Sequence, residues 1–216
     1  MVVTASIQAR MGSSRLPGKV LLQLGDKRVI EHVVARCRAA ETIDKVVLTT
    51  GLGAENDAIR EWCNRNDVQH MAGEESQLLS RHMAVATETD CDQLVRITGD
   101  CPFLPPEEID RLVRAHNNET YTTNFTERMP IGTDIDVLSP GVLQRLQQNG
   151  ETHPVKELRA NTEKWNVTVT ENEWLCKFTY VDIAVDTPDD YWLLVDATEI
   201  VGSDPTEIIE LLSKRK

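Results

Sequence analysis

Val2-Val3-Thr4-Ala5-Ser6-Ile7, running into Gln8-Ala9-Arg10-Met11-Gly12-Ser13-Ser14-Arg15-Leu16-Pro17-Gly18-Lys19, is the stretch on which the reading of this 216-residue chain turns. Its first six residues form an apolar run that predicts a buried strand. The segment after it, Ala9 to Lys19, is a polar loop with three cations, two glycines, two serines and no acid. Glycine lets backbone N–H groups approach an anion, serine adds donors, and Arg and Lys neutralise phosphate oxygens. A triphosphate needs that combination, although composition alone also allows a solvated turn. The loop is not a Walker A motif. Counted from Gly12, Gly18 falls one residue too far, and Val20 stands where Ser or Thr would meet magnesium. Gly51-Leu52-Gly53 is no dinucleotide fingerprint either, because Asn56 occupies the place of the third glycine.

Outward from this strand and loop, periodicity predicts a helix over Val29–Ala40 with Ile30, Val33, Val34 and Cys37 on one face. It further predicts a strand at Val46–Leu48, a helix at Glu55–Arg65, a strand at Val68–Met71, a helix at Glu75–Thr87 and a strand at Leu94–Ile97. A helix opens at Pro106, strands are expected at Tyr121–Thr123, Ile135–Val137, Val167–Val169 and Val181–Val185, and helices at Pro188–Thr198 and Pro205–Lys214 close the chain. Strand–helix alternation of this kind predicts a three-layer α/β/α domain, residues 1–216, built on a mostly parallel sheet. Residues 120–171 are less regular and are expected to cover the acceptor or build a dimer contact. Ligands of open α/β sheets sit beyond the carboxyl ends of the strands, so the loops after Ile7, Ile97 and Val185 should converge.

The net charge is −12, from 23 Lys+Arg against 35 Asp+Glu. Residues 1–38 carry seven bases and two acids, and the remainder 16 bases and 33 acids. The acidic total excludes a non-specific nucleic-acid binder, while the basic opening leaves room for a small anion. No apolar run suits membrane insertion, and no signal peptide is read at the start, so a cytoplasmic protein is expected. The five cysteines lack CxxC spacing and read as reduced, mostly buried thiols. The N-x-[ST] triplets at Asn118, Asn124 and Asn166 then carry no meaning. Trp62 and Trp192 are expected in the core, and Trp165 and Trp174 at a sugar or a second subunit.

The run Ile7–Leu21, IQARMGSSRLPGKVL, resembles the opening signature of the cytidylyltransferase family, nearest its spore coat polysaccharide biosynthesis branch. The likeness continues at Gly73–Arg81, at Val95–Pro102 and at Ala184–Asp190. It implies a nucleotide-diphospho-sugar transferase (GT-A-like) fold, a nucleoside triphosphate, specifically CTP, as substrate, a sugar or sugar-acid acceptor, and a homodimer. It also implies a nucleotide site at Arg10, Gly12, Ser13, Arg15 and Lys19 in the first loop, Arg81 near the base, and backbone contacts around Gln8–Ala9 and Thr98–Gly99. Lys19, Arg15 and Asp100 are the expected catalytic groups.

Asp100 and Asp186 each follow an apolar run. Magnesium takes one or two carboxylates together with phosphate oxygens. A helix cap is a poor account of either residue. Thr187 with Pro188 and Asp190 already forms a capping box without Asp186, and the next helix lies too far from Asp100. Both are expected to hold Mg2+, and the resemblance points the same way. Asp134-Ile135-Asp136 is a rival DxD triplet; Asp136 is expected to contact the acceptor, or equally to sit on a solvated strand. His153 is expected beside the acceptor by resemblance, against the plainer reading of a surface histidine. The resulting expectation is a magnesium-dependent nucleotidyltransferase that releases pyrophosphate. The alternatives are a GT-A-type glycosyltransferase using a sugar nucleotide and a non-catalytic nucleotide-binding partner.

Overall fold

The computed structural model describes residues 1–117 and 120–215; Asn118 of the first N-x-[ST] triplet lies outside them. Nine strands and eight α-helices are described. The strands are β1 (Val3–Gln8), β2 (Gln23–Leu24), β3 (Lys27–Arg28), β4 (Lys45–Gly51), β5 (Gln69–Gly73), β6 (Gln93–Thr98), β7 (Tyr121–Thr123), β8 (Asp136–Leu138) and β9 (Val167–Val169). The helices are α1 (Val29–Ala39), α2 (Asp57–Arg65), α3 (Leu78–Thr89), α4 (Pro106–Ala115), α5 (Pro140–Gln148), α6 (Lys156–Ala160), α7 (Pro188–Val201) and α8 (Pro205–Ser213). Seven strands form one sheet in the order β5-β4-β1-β6-β8-β7-β9. β5, β4, β1 and β6 run parallel; β8 is antiparallel to both β6 and β7, and β9 is parallel to β7. β2 and β3 form a separate hairpin.

β1 lies inside the sheet, between β4 and β6, and is covered on both faces. Val3, Ala5 and Ile7 alternate into a core shared with α1, α2 and α4. Thr4 and Ser6 point the other way, toward α3, where Thr4 donates to Thr89 at 3.1 Å and Ser6 meets His82 at 2.8 Å. A second core joins α3, α5 and α6 to the sheet, and a third joins α7 and α8 to Phe103, Ile183 and Val185. Cys37, Cys63, Cys91 and Cys101 are buried, Cys176 is half-buried, and none forms a disulfide. No helix of the described residues is long and apolar enough to cross a membrane.

The expected strand Val181–Val185 is an extended segment outside the sheet. Its alternation is real, with Val181, Ile183 and Val185 buried, but they pack in the α7–α8 core. Its backbone makes one isolated parallel bridge, with Ile131 N donating to Val181 O at 3.0 Å and Ile183 N to Ile131 O at 2.9 Å, and beyond it Val185 N donates to Asp100 O at 2.8 Å. Trp192 is 61% exposed rather than in the core. Trp165 is buried, its ring covered by Arg145 at 4.9 Å, and so meets no solvent-borne sugar. The irregular 120–171 region contains the three strands β7, β8 and β9 and the two helices α5 and α6.

Candidate active site

The loop after β1 folds over the carboxyl ends of the strands. Gly18, at φ 73°, takes the left-handed turn that closes it, with its N–H donated to the Met11 carbonyl at 3.0 Å. A single 3-10 turn, Lys19–Leu21, follows and directs Lys19 inward. Asn56, fully buried in the turn that follows β4, accepts from Met11 N at 2.9 Å and braces the loop.

The Lys19 ammonium lies 2.6 Å from Asp100 Oδ2 and 2.7 Å from Asp186 Oδ1. Arg15 reaches the second oxygen of Asp186 at 2.9 Å. The loops after β1 and β6 and the segment ending at Val185 therefore meet. Burial opposes the Lys19 charge, but Asp100 and Asp186 outweigh it and hold the ammonium above its ordinary range. Asp186 also resists its own burial: Lys19 and Arg15 hold its carboxyl below the usual value. Gly99 is where β6 presses against β1. A Cβ there would stand 2.9 Å from the Gln8 carbonyl oxygen and 3.0 Å from Ile30 Cδ1.

These groups border a cleft of about 440 Å3 whose wall includes Gln8, Ala9, Arg10, Ser13, Arg15, Lys19, Arg81, Thr98, Gly99, Asp100, His153 and Asp186. Gly12 is not on that wall. Arg10 sits at the rim, paired with Glu75 at 3.0 Å, a partner that the sequence reading missed. Two backbone groups expected to touch the base are engaged in the fold: Gln8 O accepts from Gly99 N at 2.8 Å, and Ala9 N donates to Thr49 O at 3.0 Å. Buried Arg81 reaches the Glu75 carbonyl at 3.4 Å, and burial draws its guanidinium below its usual value.

His153 is held in a local turn. Its Nδ1 accepts from Val155 N at 3.3 Å and Lys156 N at 3.2 Å. Burial, with Arg96 and Arg159 nearby, brings its pKa down to about 4, so the ring is neutral at pH 7.

Asp136 departs from both of its expected places. It is neither on a solvated strand face nor on the cleft wall but completely buried. Arg96 donates to it at 2.7 Å, Arg159 to both oxygens at 2.9 Å, Tyr121 at 2.5 Å and Thr123 at 2.9 Å. Burial would raise its carboxyl, but Arg159 and Arg96 overcome that and bring it down to about 2. Its DxD partner Asp134 is 3.6 Å from Arg159.

A family model described as cytidylyltransferase matches residues 4–172. The chain belongs to the cytidylyltransferase family. This cytidylyltransferase is 28% identical to the spore coat polysaccharide biosynthesis protein SpsF of Bacillus subtilis, over 96% of this chain and 92% of that protein. It is 33% identical over 150 residues to the 3-deoxy-manno-octulosonate cytidylyltransferase of Thioalkalivibrio sulfidiphilus, covering 67% of this chain and 58% of that enzyme. A solved cytidylyltransferase from Leptospira borgpetersenii superposes with a TM-score of 0.90 at 28% identity, over 99% of this chain and 94% of that one. The fold is thus that of a nucleotidyltransferase, and the chain is an enzyme of that class.

Proposed function

We propose that this cytidylyltransferase transfers CMP from CTP to a sugar or sugar acid, releasing pyrophosphate, in the assembly of a surface polysaccharide precursor. The single observation that carries the reading is Lys19 held between Asp100 and Asp186 beneath a loop that also presents Arg10 and Arg15. The family supports the cytidyl donor. The named activity of the octulosonate relative and the name of the spore coat relative support the acceptor and the setting.

Asp100 and Asp186 are hard oxygen ligands that already share one cation, which suits Mg2+. Among the described residues no group of three or more His, Cys, Asp or Glu could hold a metal. These two residues therefore fit a metal that brings phosphate oxygens as its remaining ligands. When bound, the metal supplies Lewis-acid stabilisation of phosphate charge. The chain's own groups do the positioning. An acceptor oxygen attacks the α-phosphorus in line, the new O–P bond forms as the α–β bridging bond breaks, and its electron pair leaves on pyrophosphate. Arg10, Arg15 and Lys19 bind the phosphate oxygens that gain charge. The acceptor proton goes to solvent, or is already absent if the nucleophile is an ionised acid. Association of two copies belongs to the same reading and is tested by light scattering.

The test of this function is pyrophosphate release from CTP with Mg2+ and a panel of sugars that includes 3-deoxy-manno-octulosonate. Turnover that requires CTP, metal and acceptor is expected. Release with no acceptor requirement, or preference for another triphosphate, would overturn it.

A further inference from the structure

Gln8 ends β1, and its side chain lies on the α3 side of the sheet, at the wall of the cleft. Its Oε1 accepts from Arg96 Nε at 3.1 Å and faces His82 Nε2 at 3.3 Å. A guanidinium only donates, so Arg96 decides which end of the carboxamide is oxygen. Arg96 itself is fixed: it is buried and bound to Asp136, which also holds Arg159, Tyr121 and Thr123. His82 is fully buried and neutral, pushed well below the usual imidazole range by burial and by Arg96 and Arg81. With the Gln8 oxygen before it, its proton resides on Nε2, and Nδ1 accepts from the Ser6 hydroxyl at 2.8 Å. Two donors thus clamp one oxygen, and the Gln8 Nε2 amide has no partner among the described residues.

His153 completes the pattern on the same wall. Its Nδ1 takes two backbone N–H groups, so the neutral ring carries its proton on Nε2. The cleft lining therefore offers two chemically different sets of groups. Arg10, Arg15 and Lys19 are cations suited to phosphate. Gln8 and His153 are neutral N–H donors whose own acceptor atoms are already used. A cytosine edge carries an amino donor beside its ring-nitrogen and carbonyl acceptors, and neither residue has an acceptor to give that amino group. An ionised sugar-acid carboxylate presents acceptors only, and a hydroxyl oxygen can accept, so both suit a pair of N–H donors.

We propose that the Gln8 carboxamide is a specificity-determining contact for the acceptor, donating its N–H to a hydroxyl or carboxylate oxygen of the sugar, with Arg96 as the residue that positions it. This rests on the cytidyl-transfer reading above.

Gln8→Glu keeps the oxygen that Arg96 and His82 hold and removes the donor; Gln8→Met removes both. Thermal unfolding checks that each variant folds. Calorimetry with CTP and Mg2+ gives nucleotide affinity, and pyrophosphate release with 3-deoxy-manno-octulosonate and the sugar panel gives the acceptor KM. CTP affinity within about twofold of the parent, with acceptor KM raised at least about tenfold in both variants, is expected from loss of one buried hydrogen bond worth roughly 1.4 kcal/mol. A tenfold loss of CTP affinity would assign Gln8 to the base and overturn the proposal, as would an unchanged acceptor KM. A parent enzyme that fails to bind CTP, or binds it and uses none of the sugars, would instead defeat the functional reading and the proposal with it.

Discussion

Val185 donates its backbone N–H to the carbonyl of Asp100 at 2.8 Å, so the two carboxylate-bearing segments of the site are tied to each other directly. Each carboxylate lies next to that bond: Asp100 supplies its acceptor, and Asp186 follows its donor. Their separation is therefore set by backbone, and Lys19 finds both within reach of one ammonium.

Removing that ammonium leaves two carboxylates facing one another with only Arg15 between them and solvent. Lys19→Ala is expected to lower pyrophosphate release by about 10²–10³-fold, the scale of losing one preorganised donor to developing charge. Full activity in the variant would show that the cation has no part in the chemistry. Because the Lys19 pKa is raised in the fold, its stabilising contribution is present below its ordinary value of 10.5 and is lost as pH climbs through the folded value. Denaturation midpoints in alkali should fall sooner in the parent than in Lys19→Met.

Asp136 is a buried anion between two buried guanidinium groups. Asp136→Asn leaves Arg96 and Arg159 facing each other without it and is expected to cost roughly 3–5 kcal/mol in urea denaturation. A carboxyl held at about 2 stabilises above the ordinary 3.8 and loses that contribution as pH falls toward 2. The variant should therefore show a shallower acid limb than the parent over that range; parallel limbs would contradict the assignment.

Four of the five histidines, His32, His82, His116 and His153, are held below the ordinary imidazole value, in each case first by burial. As pH falls from 6.5 toward 4, the unfolded chain takes up protons that these folded rings refuse. Stability should rise with pH across that window. NMR titration of His153 should give a midpoint near 4, and a midpoint near 6.5 would place the ring in open water.

Gly99→Ala puts a methyl 2.9 Å from the Gln8 carbonyl oxygen, in a place where the obstacle is backbone. A stability loss of about 1–3 kcal/mol is expected from overpacking, together with a fall in activity as Thr98 and Asp100 shift. The two measurements should move together. A stable but inactive variant would locate the damage in the ligand rather than in the β1–β6 contact.

The parallel half of the molecule was legible because local periodicity and burial agree there. Ile30, Val33, Val34 and Cys37 form the buried stripe of α1 as read, and Val3, Ala5 and Ile7 alternate into the core beneath it. Charge chemistry also brought Lys19, Asp100 and Asp186 to one place, because Asp100 and Asp186 each follow an apolar run and Lys19 ends the polar loop that follows another. Three parts did not show. Val181–Val185 alternates like a strand because it packs against α7 and α8, and alternation reports a buried face without naming its partner. Trp192 resembled core because helical spacing cannot say which side of α7 faces solvent. The Ser6–His82–Gln8–Arg96–Asp136 chain of hydrogen bonds was hidden because its members lie up to 130 positions apart on four elements. A polar residue at every second position of β1, Thr4, Ser6 and Gln8, was the one signal that could have revealed it.

The pairing of Lys19 with Asp186 joins residues 167 positions apart. At ribosomal speed the loop after β1 is made on the order of ten seconds before its last partner. During that interval the central strands can pair while the cation has only Asp100 to meet. Asp186 also needs α7 and α8 behind it, since the segment carrying it is packed against them rather than laddered into the sheet. Completion of the charged centre is thus a late event in synthesis, following the pairing of the central strands rather than accompanying it.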